Sequence, residues 1–212
     1  MRRARTSRDT DAVLPLGARR LSLRALPRAF YDRDTELVAR DLIGRVLECR
    51  RDGVTCRGVI TETEAYLGEH DPACHAAVGR TKRTAGLYGP PGTAYVYFIY
   101  GMYWCVNAVT RAEGLPSAVL IRGVQPIVGA DAMRRRRGRR VRDAALADGP
   151  GKLCVAFGID GPRHHGADLV RGPALRILHG APVPDDAVRV TPRIGIRKAA
   201  DWPLRWVLAH RE

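Results

Sequence analysis

The sequence predicts an α+β fold: a single domain with a mostly antiparallel, curved β-sheet and a protruding β-hairpin, surrounded by helices. Three observations carry this expectation. The stretch Thr93–Val109 holds six of the thirteen aromatics (Tyr95, Tyr97, Phe98, Tyr100, Tyr103 and Trp104), with Gly101 as the flexible point between two β-rich halves. That is the pattern of a hairpin turning where a residue without Cβ adopts positive φ. Elsewhere, short strand-like segments are separated by Gly, Pro and Asp turns, with neither a regular βαβ series nor an internal repeat. Finally, 212 residues are enough for one large domain with a real core.

In chain order, residues 1–22 mix Arg, Asp, Ser and Thr without periodicity and read as a disordered basic arm, leaving 23–212 as the folded domain. Asp32 or Asp34 can cap a helix through about Ile43, whose apolar face carries Leu37, Val38, Leu42 and Ile43, and which Gly44 ends. Strands follow at about Arg45–Arg50 and Thr55–Thr63, joined by a turn at Asp52-Gly53. Gly68–Gly92 is loop-like. After the aromatic hairpin come a short strand, Ala118–Arg122, and a helix from about Ile127 into the run Arg134–Arg140. The stretch Asp148–Cys154 opens a short helix through about Phe157. From Gly161 onward, Pro/Gly turns alternate with strands at about Ala174–Leu178, Val188–Thr191 and Leu204–Leu208.

The formal net charge of +14 points to a polyanion, with nucleic acid first and an acidic small molecule second. Thirty-three of the thirty-six basic residues are Arg, a ratio that a GC-rich genome also produces, but the excess over acid is independent of that choice. Five cysteines without a C-x-x-C pair indicate neither a disulfide framework nor a zinc ribbon and fit a reducing, cytoplasmic setting. Neither a secretory signal nor a run of membrane-spanning length is visible.

Two features stand out chemically. Tyr100, Met102 and Tyr103 occupy a hairpin tip where Asn, Asp, Gly or Ser is usual. They read either as a bend buried under another element or as an apolar wedge that enters a base stack. Strand periodicity also places Glu62, Glu64 and Tyr66 on one face, either a polar surface or a reactive cluster in which a carboxylate deprotonates water. His70, Asp71, Cys74 and His75 crowd one loop without a zinc spacing. Gly89-Pro-Pro-Gly92 lacks the ending of a phosphate-binding loop. Arg134–Arg140 reads as a solvated helix end or as a source of phosphate contacts, and Gly149-Pro-Gly-Lys152 as a plain helix start or an anion site.

Together, Glu62–Gly68, His75, Gly89–Gly92, Tyr95–Asn107, Val119–Arg122 and Gly149–Cys154 resemble the 3-methyladenine (alkyladenine) DNA glycosylase family, in its bacterial type, and weaker similarity runs from about Leu23 to Leu208. The resemblance implies a monofunctional DNA glycosylase, without cofactor or metal, that flips alkylated or deaminated purines out of double-stranded DNA and hydrolyses the N-glycosidic bond. By it, Glu64 is the general base for a water attacking C1′, and Arg122 positions that water and the nucleotide's phosphate. Tyr66, His75 and Tyr97 line the base pocket, while Asn107 crowds the 2-amino group of guanine. Tyr100 fills the minor-groove gap left by the flipped nucleotide, and Met102 supports the tip. Arg80, Arg83 and Lys152 are the expected phosphate contacts. A bacterial cytoplasmic monomer is implied.

The sequence departs from the family at Lys82 and Thr84, where Pro and Asn are expected, and it ends soon after Leu208, earlier than relatives that continue for another short segment, so that part of the pocket wall is expected to be either missing or built differently. Only three lysines are present, and the resemblance gives none the amine role that backbone-nicking glycosylases need. The competing readings are a non-catalytic minor-groove binder and a metal-dependent hydrolase using His70, Cys74 and His75.

Overall fold

A computed structural model describes residues 24–209. The expected basic arm lies outside the described residues. The elements are α1 (Arg28–Tyr31), α2 (Thr35–Leu42), β1 (Val46–Arg51), β2 (Val54–Tyr66), β3 (Ala94–Ile99), β4 (Tyr103–Thr110), β5 (Ser117–Val128), α3 (Ala130–Arg137), α4 (Pro150–Phe157), α5 (Gly161–His164), β6 (Leu175–Leu178), β7 (Val188–Thr191) and β8 (Arg205–Leu208). Single turns of 3-10 helix punctuate the loops, including His75–Val78 and Ala85–Tyr88.

Local chemistry accounts for most boundaries. Asp34 caps α2, its carboxylate accepting the N–H of Glu36, an interaction typically worth ~1 kcal/mol. The β1–β2 hairpin turns at Asp52 and Gly53, both at positive φ, the conformation that keeps two twisted strands paired across a two-residue loop.

The eight strands form one sheet in which every described pairing is antiparallel, in the order β3-β4-β5-β2-β1-β6, with β8 on β2 and β7 outside it. Strand β2 is the axis. One edge pairs with β5; the other is shared by β1 at its first half and β8 at its second. Glu64 therefore lies between Leu120 of β5 and Arg205 of β8. Helices α2 and α4 cover the sheet, burying Val38, Leu42, Leu153 and Phe157. A smaller cluster of Cys74, Ala76, Leu87, Tyr95, Val109 and Ala118 supports the loop side. The expected α+β class and single antiparallel sheet are what the fold contains.

Three boundaries differ from expectation, the first being the end of β2, which lies at Tyr66 instead of Thr63. Strand β5 continues to Val128 instead of ending at Arg122, and α3 begins at Ala130, not Ile127. Pro126 reads locally as a breaker, yet it pairs with Gly58 beside a register shift, where the ladder is already interrupted. Helices α1 and α5, four residues each, are too short to leave a periodic signature. Within the Arg run, Arg134 pairs with Asp131 and Asp143, while Arg136 and Arg137 donate to the carbonyls of Ala156 and Leu146. Those three fasten α3 to its surroundings; Arg135, Arg139 and Arg140 are exposed.

Candidate active site

Glu64 is fully buried. Its Oε2 accepts the Tyr66 hydroxyl at 2.9 Å; its Oε1 accepts the Ile194 N–H at 2.8 Å and lies 3.3 Å from Nη1 of Arg122. Burial pushes the carboxyl above its ordinary range, partly offset by Arg122, the Ile194 N–H and the Tyr66 hydroxyl, while Glu62 adds to the rise. A carboxylate offers about four acceptor positions, so three partners leave one unfilled. Burial and the adjoining Glu64 keep the Tyr66 hydroxyl protonated well beyond its usual range, so it serves as a donor.

Arg122 reaches this carboxylate because of a bulge. Glu62 pairs with Gly123 and Thr63 with Ile121, which leaves Arg122 as the extra residue, the kind of irregularity that re-aims a side chain. Its Nε donates to Glu62 Oε1 at 2.8 Å, and the same oxygen accepts Nε of Arg205 at 2.6 Å. Glu62 thus holds Arg122 from behind while Glu64 takes its other end. Burial works against the charge on Arg122, but the two carboxylates outweigh it.

Beside these groups opens a cavity of about 290 Å³, near the lower end of the roughly 300–1,000 Å³ usual for small-ligand pockets. Tyr66, His75, Tyr97, Asn107 and Arg122 all lie on its wall, so the structure brings together the expected pocket residues. The His75 and Tyr97 rings meet edge to face at 4.4 Å between centroids. Nδ1 of His75 is 3.0 Å from the Tyr95 hydroxyl. Burial and the nearby Arg83 lower the His75 pKa, which favours a neutral ring. Asn107 faces Tyr95 in the β3–β4 ladder, and its Nδ2 donates to the Tyr95 carbonyl at 3.0 Å, which fixes its amide at the cavity wall. Glu64 is not itself on the cavity surface; its partners Tyr66, Arg122 and Ile194 are.

The hairpin β3–β4 forms the cavity's rim. Tyr100 is 75% exposed and Met102 63%, so the tip is not buried under another element. Tyr100 and Gly101 both adopt positive φ, 55° and 67°. Glycine does this freely, but a tyrosine does it at a cost, the kind of strain that collects at functional sites. Next to the turn, α4 packs so closely on Tyr103 that a Cβ on Gly151 would lie 2.8 Å from its ring.

The expected phosphate contacts sit apart. Arg80 and Arg83 are exposed, with the Arg80 guanidinium 5.5 Å from the centre of the Tyr88 ring. Lys152 is paired with Asp148 at 3.0 Å at the start of α4. The departing Thr84 is buried and closes its own loop: its hydroxyl accepts the Thr81 N–H and donates to the Gly79 carbonyl. The His70, Asp71, Cys74 and His75 loop is organised by other means. Cys74 Sγ caps the following turn, and Asp71 is bound to Arg193. No group of three or more His, Cys, Asp and Glu placed to hold a metal occurs among the described residues.

Sequence reasoning missed the segment Arg193–Ile196. Ile194, Gly195 and Ile196 form part of the cavity wall, and Ile194 holds Glu64 from 130 positions away. The Pro192-Arg-Ile-Gly195 pattern reads as an ordinary turn, and no local signal marks it.

Comparison with known proteins shows the family. The sequence profile of the family described as methylpurine-DNA glycosylase matches residues 29–212. A protein of Methanoculleus marisnigri is 48% identical over 186 residues, covering 86% of this chain and 94% of its own. One of Myxococcus xanthus is 46% identical over 186 residues, covering 86% and 89%, and one of Carboxydothermus hydrogenoformans is 45% identical over 187, covering 88% and 96%. Each of the three carries the provisional name 3-methyladenine DNA glycosylase. The chain belongs to the methylpurine-DNA glycosylase family, whose members are hydrolases acting on the N-glycosyl bonds of DNA.

Proposed function

We propose that this protein is a monofunctional glycosylase that flips alkylated or deaminated purines out of duplex DNA through the minor groove and hydrolyses their N-glycosidic bond. The observation that carries the reading is the buried Glu64, with one acceptor position left, behind a cavity walled by aromatic rings. As general base, Glu64 takes a proton from water as the water oxygen attacks C1′; the electrons of the C1′–N bond leave with the base, and an abasic site remains. An oxocarbenium-like transition state next to a carboxylate in a dry interior is strongly stabilised. Arg122 positions the water and the phosphate.

Tyr66, Tyr97 and a neutral His75 offer electron-rich faces to a cationic alkylpurine without adding like charge. Asn107, fixed by Tyr95, crowds the 2-amino group of guanine. Tyr100 enters the gap in the stack, supported by Met102, and offsets part of the few kcal/mol that flipping costs. Arg80, Arg83 and Lys152 bind phosphates. The reading has the enzyme acting as a monomer in a reducing, bacterial cytoplasm, which suits five free, buried cysteines.

The test is incubation with duplexes carrying one alkylated adenine, one 7-methylguanine or one hypoxanthine. Base release that leaves an alkali-labile site, with no borohydride-trapped protein–DNA adduct, is expected. A trapped adduct would refute the monofunctional mechanism, and binding without release would favour the damage-recognition alternative.

A further inference from the structure

Asp71 and Arg193 form the most deeply buried ion pair described, with both side chains fully covered. The contact is a fork: Arg193 Nη1 to Asp71 Oδ2 at 2.5 Å and Nη2 to Oδ1 at 2.9 Å. Such a pair is a poor source of stability, because its desolvation roughly cancels its attraction; what it supplies is a fixed geometry. Here the fixed parts are three pieces of the cavity wall. Asp71 accepts the N–H groups of Leu67 and Ala73, tying the end of β2 to the loop that carries His75. Arg193 donates to the Ala65 carbonyl and lies 4.8 Å from the centre of the Tyr66 ring. The next residue, Ile194, gives its N–H to Glu64. Both oxygens of Glu64 therefore depend on neighbours of Arg193: Oε1 through Ile194 and Oε2 through Tyr66.

We infer that Asp71 and Arg193 are a positioning pair, which clamps segment 193–196 over Glu64 and so aims the carboxylate. The inference rests on Glu64 being the general base. Neither member touches the reacting atoms; each acts through Glu64. The charged or titratable groups around that carboxylate are Arg122, Glu62, Tyr66, Tyr97, Cys105 and Arg193 itself. Arg193→Lys leaves all their charges in place and removes only the fork, so its effects report geometry.

The experiment has two arms, both on the full chain. The Glu64 carboxyl is titrated by NMR on protein labelled with carboxyl-13C glutamate, and single-turnover base release is measured from a duplex with one alkylated purine. Burial and the Ile194 N–H both act on the Glu64 carboxyl, so a loosened clamp changes what sets its titration. In Arg193→Lys the titration midpoint should therefore move away from the parent's. Base release should slow by about tenfold or more, the scale expected for a misplaced catalytic group, while DNA affinity stays within about twofold. Asp71→Asn, which keeps an oxygen for the Ala73 N–H, should do the same, and it carries the test if the lysine variant does not fold. A folded variant whose Glu64 midpoint and release rate match the parent overturns the inference. A parent that releases no base, with a midpoint that still moves in the variant, refutes the proposed function and leaves the clamp standing.

Discussion

Tyr100 offers a prediction in which stability and function move apart. It occupies the left-handed region, which costs an L-residue roughly 1–2 kcal/mol, and its ring is 75% exposed, so packing returns little. Tyr100→Gly removes that strain but gives the unfolded chain more freedom, at about 0.4–1 kcal/mol. The balance lies between zero and about +1.6 kcal/mol. For a domain of this size, where 1 kcal/mol moves Tm by about 2–4 °C, the variant should melt at the parent's temperature or up to about 6 °C above it. On damaged duplex the sign reverses. A ring stacked on bases is worth about 1–3 kcal/mol, so lesion affinity should fall roughly 5- to 160-fold. Thermal unfolding of the free protein and titration of a labelled lesion duplex read the two effects. A Tm lowered by more than about 4 °C would show that the ring is a packing element, and unchanged lesion affinity would show that it is not a wedge; either result refutes the reasoning.

Other consequences follow from the same contacts. Since burial raises the pKa of Glu64 and a base must be ionised, release of a cationic lesion should fall as pH drops, with a limb above the ordinary carboxylate range. The same shift stabilises the folded protein at low pH and is lost as pH rises through the raised value. A profile flat to the ordinary range would contradict this. Glu48 is buried and binds Arg50, Arg57 and Arg176; burial opposes its ionisation, but the arginines hold its pKa below the usual value. Its stabilisation is present above the unfolded value and lost as pH falls through the lowered one. Glu48→Ala should cost ~3 kcal/mol, or about 6–12 °C of Tm, with base release unchanged below the transition. Arg80→Ala and Arg83→Ala should each weaken binding to any duplex and lower the salt slope by about one, with a smaller effect from Lys152→Ala because Asp148 already pairs with that lysine.

What was legible in the sequence was local or periodic. The aromatic hairpin, the Asp52-Gly53 turn and the Asp34 cap are set within a few residues, and alternation along β2 correctly grouped Glu62, Glu64 and Tyr66. What was illegible depends on distance or on broken rules. Pro126 disguised the second half of β5, because only the partner strand shows the register shift that admits it. The bulge that aims Arg122 is likewise a property of two strands; its place in the site came from resemblance. Asp71 read only as one of four groups crowding a loop without a zinc spacing, because its partner, Arg193, lies 122 positions away. The segment after it looked like a turn because its one decisive contact, Ile194 with Glu64, is a backbone N–H, a group every residue but proline has.

The central claim is that Glu64 activates the water that releases the base. The most direct test places enzyme in excess over a labelled duplex with one alkylated adenine or one hypoxanthine and compares the parent with Glu64→Gln. The account predicts release by the parent, release slower by about 10²–10⁴ in the variant, and equal lesion binding by both. A glutamine variant that releases base within a few-fold of the parent's rate would contradict it.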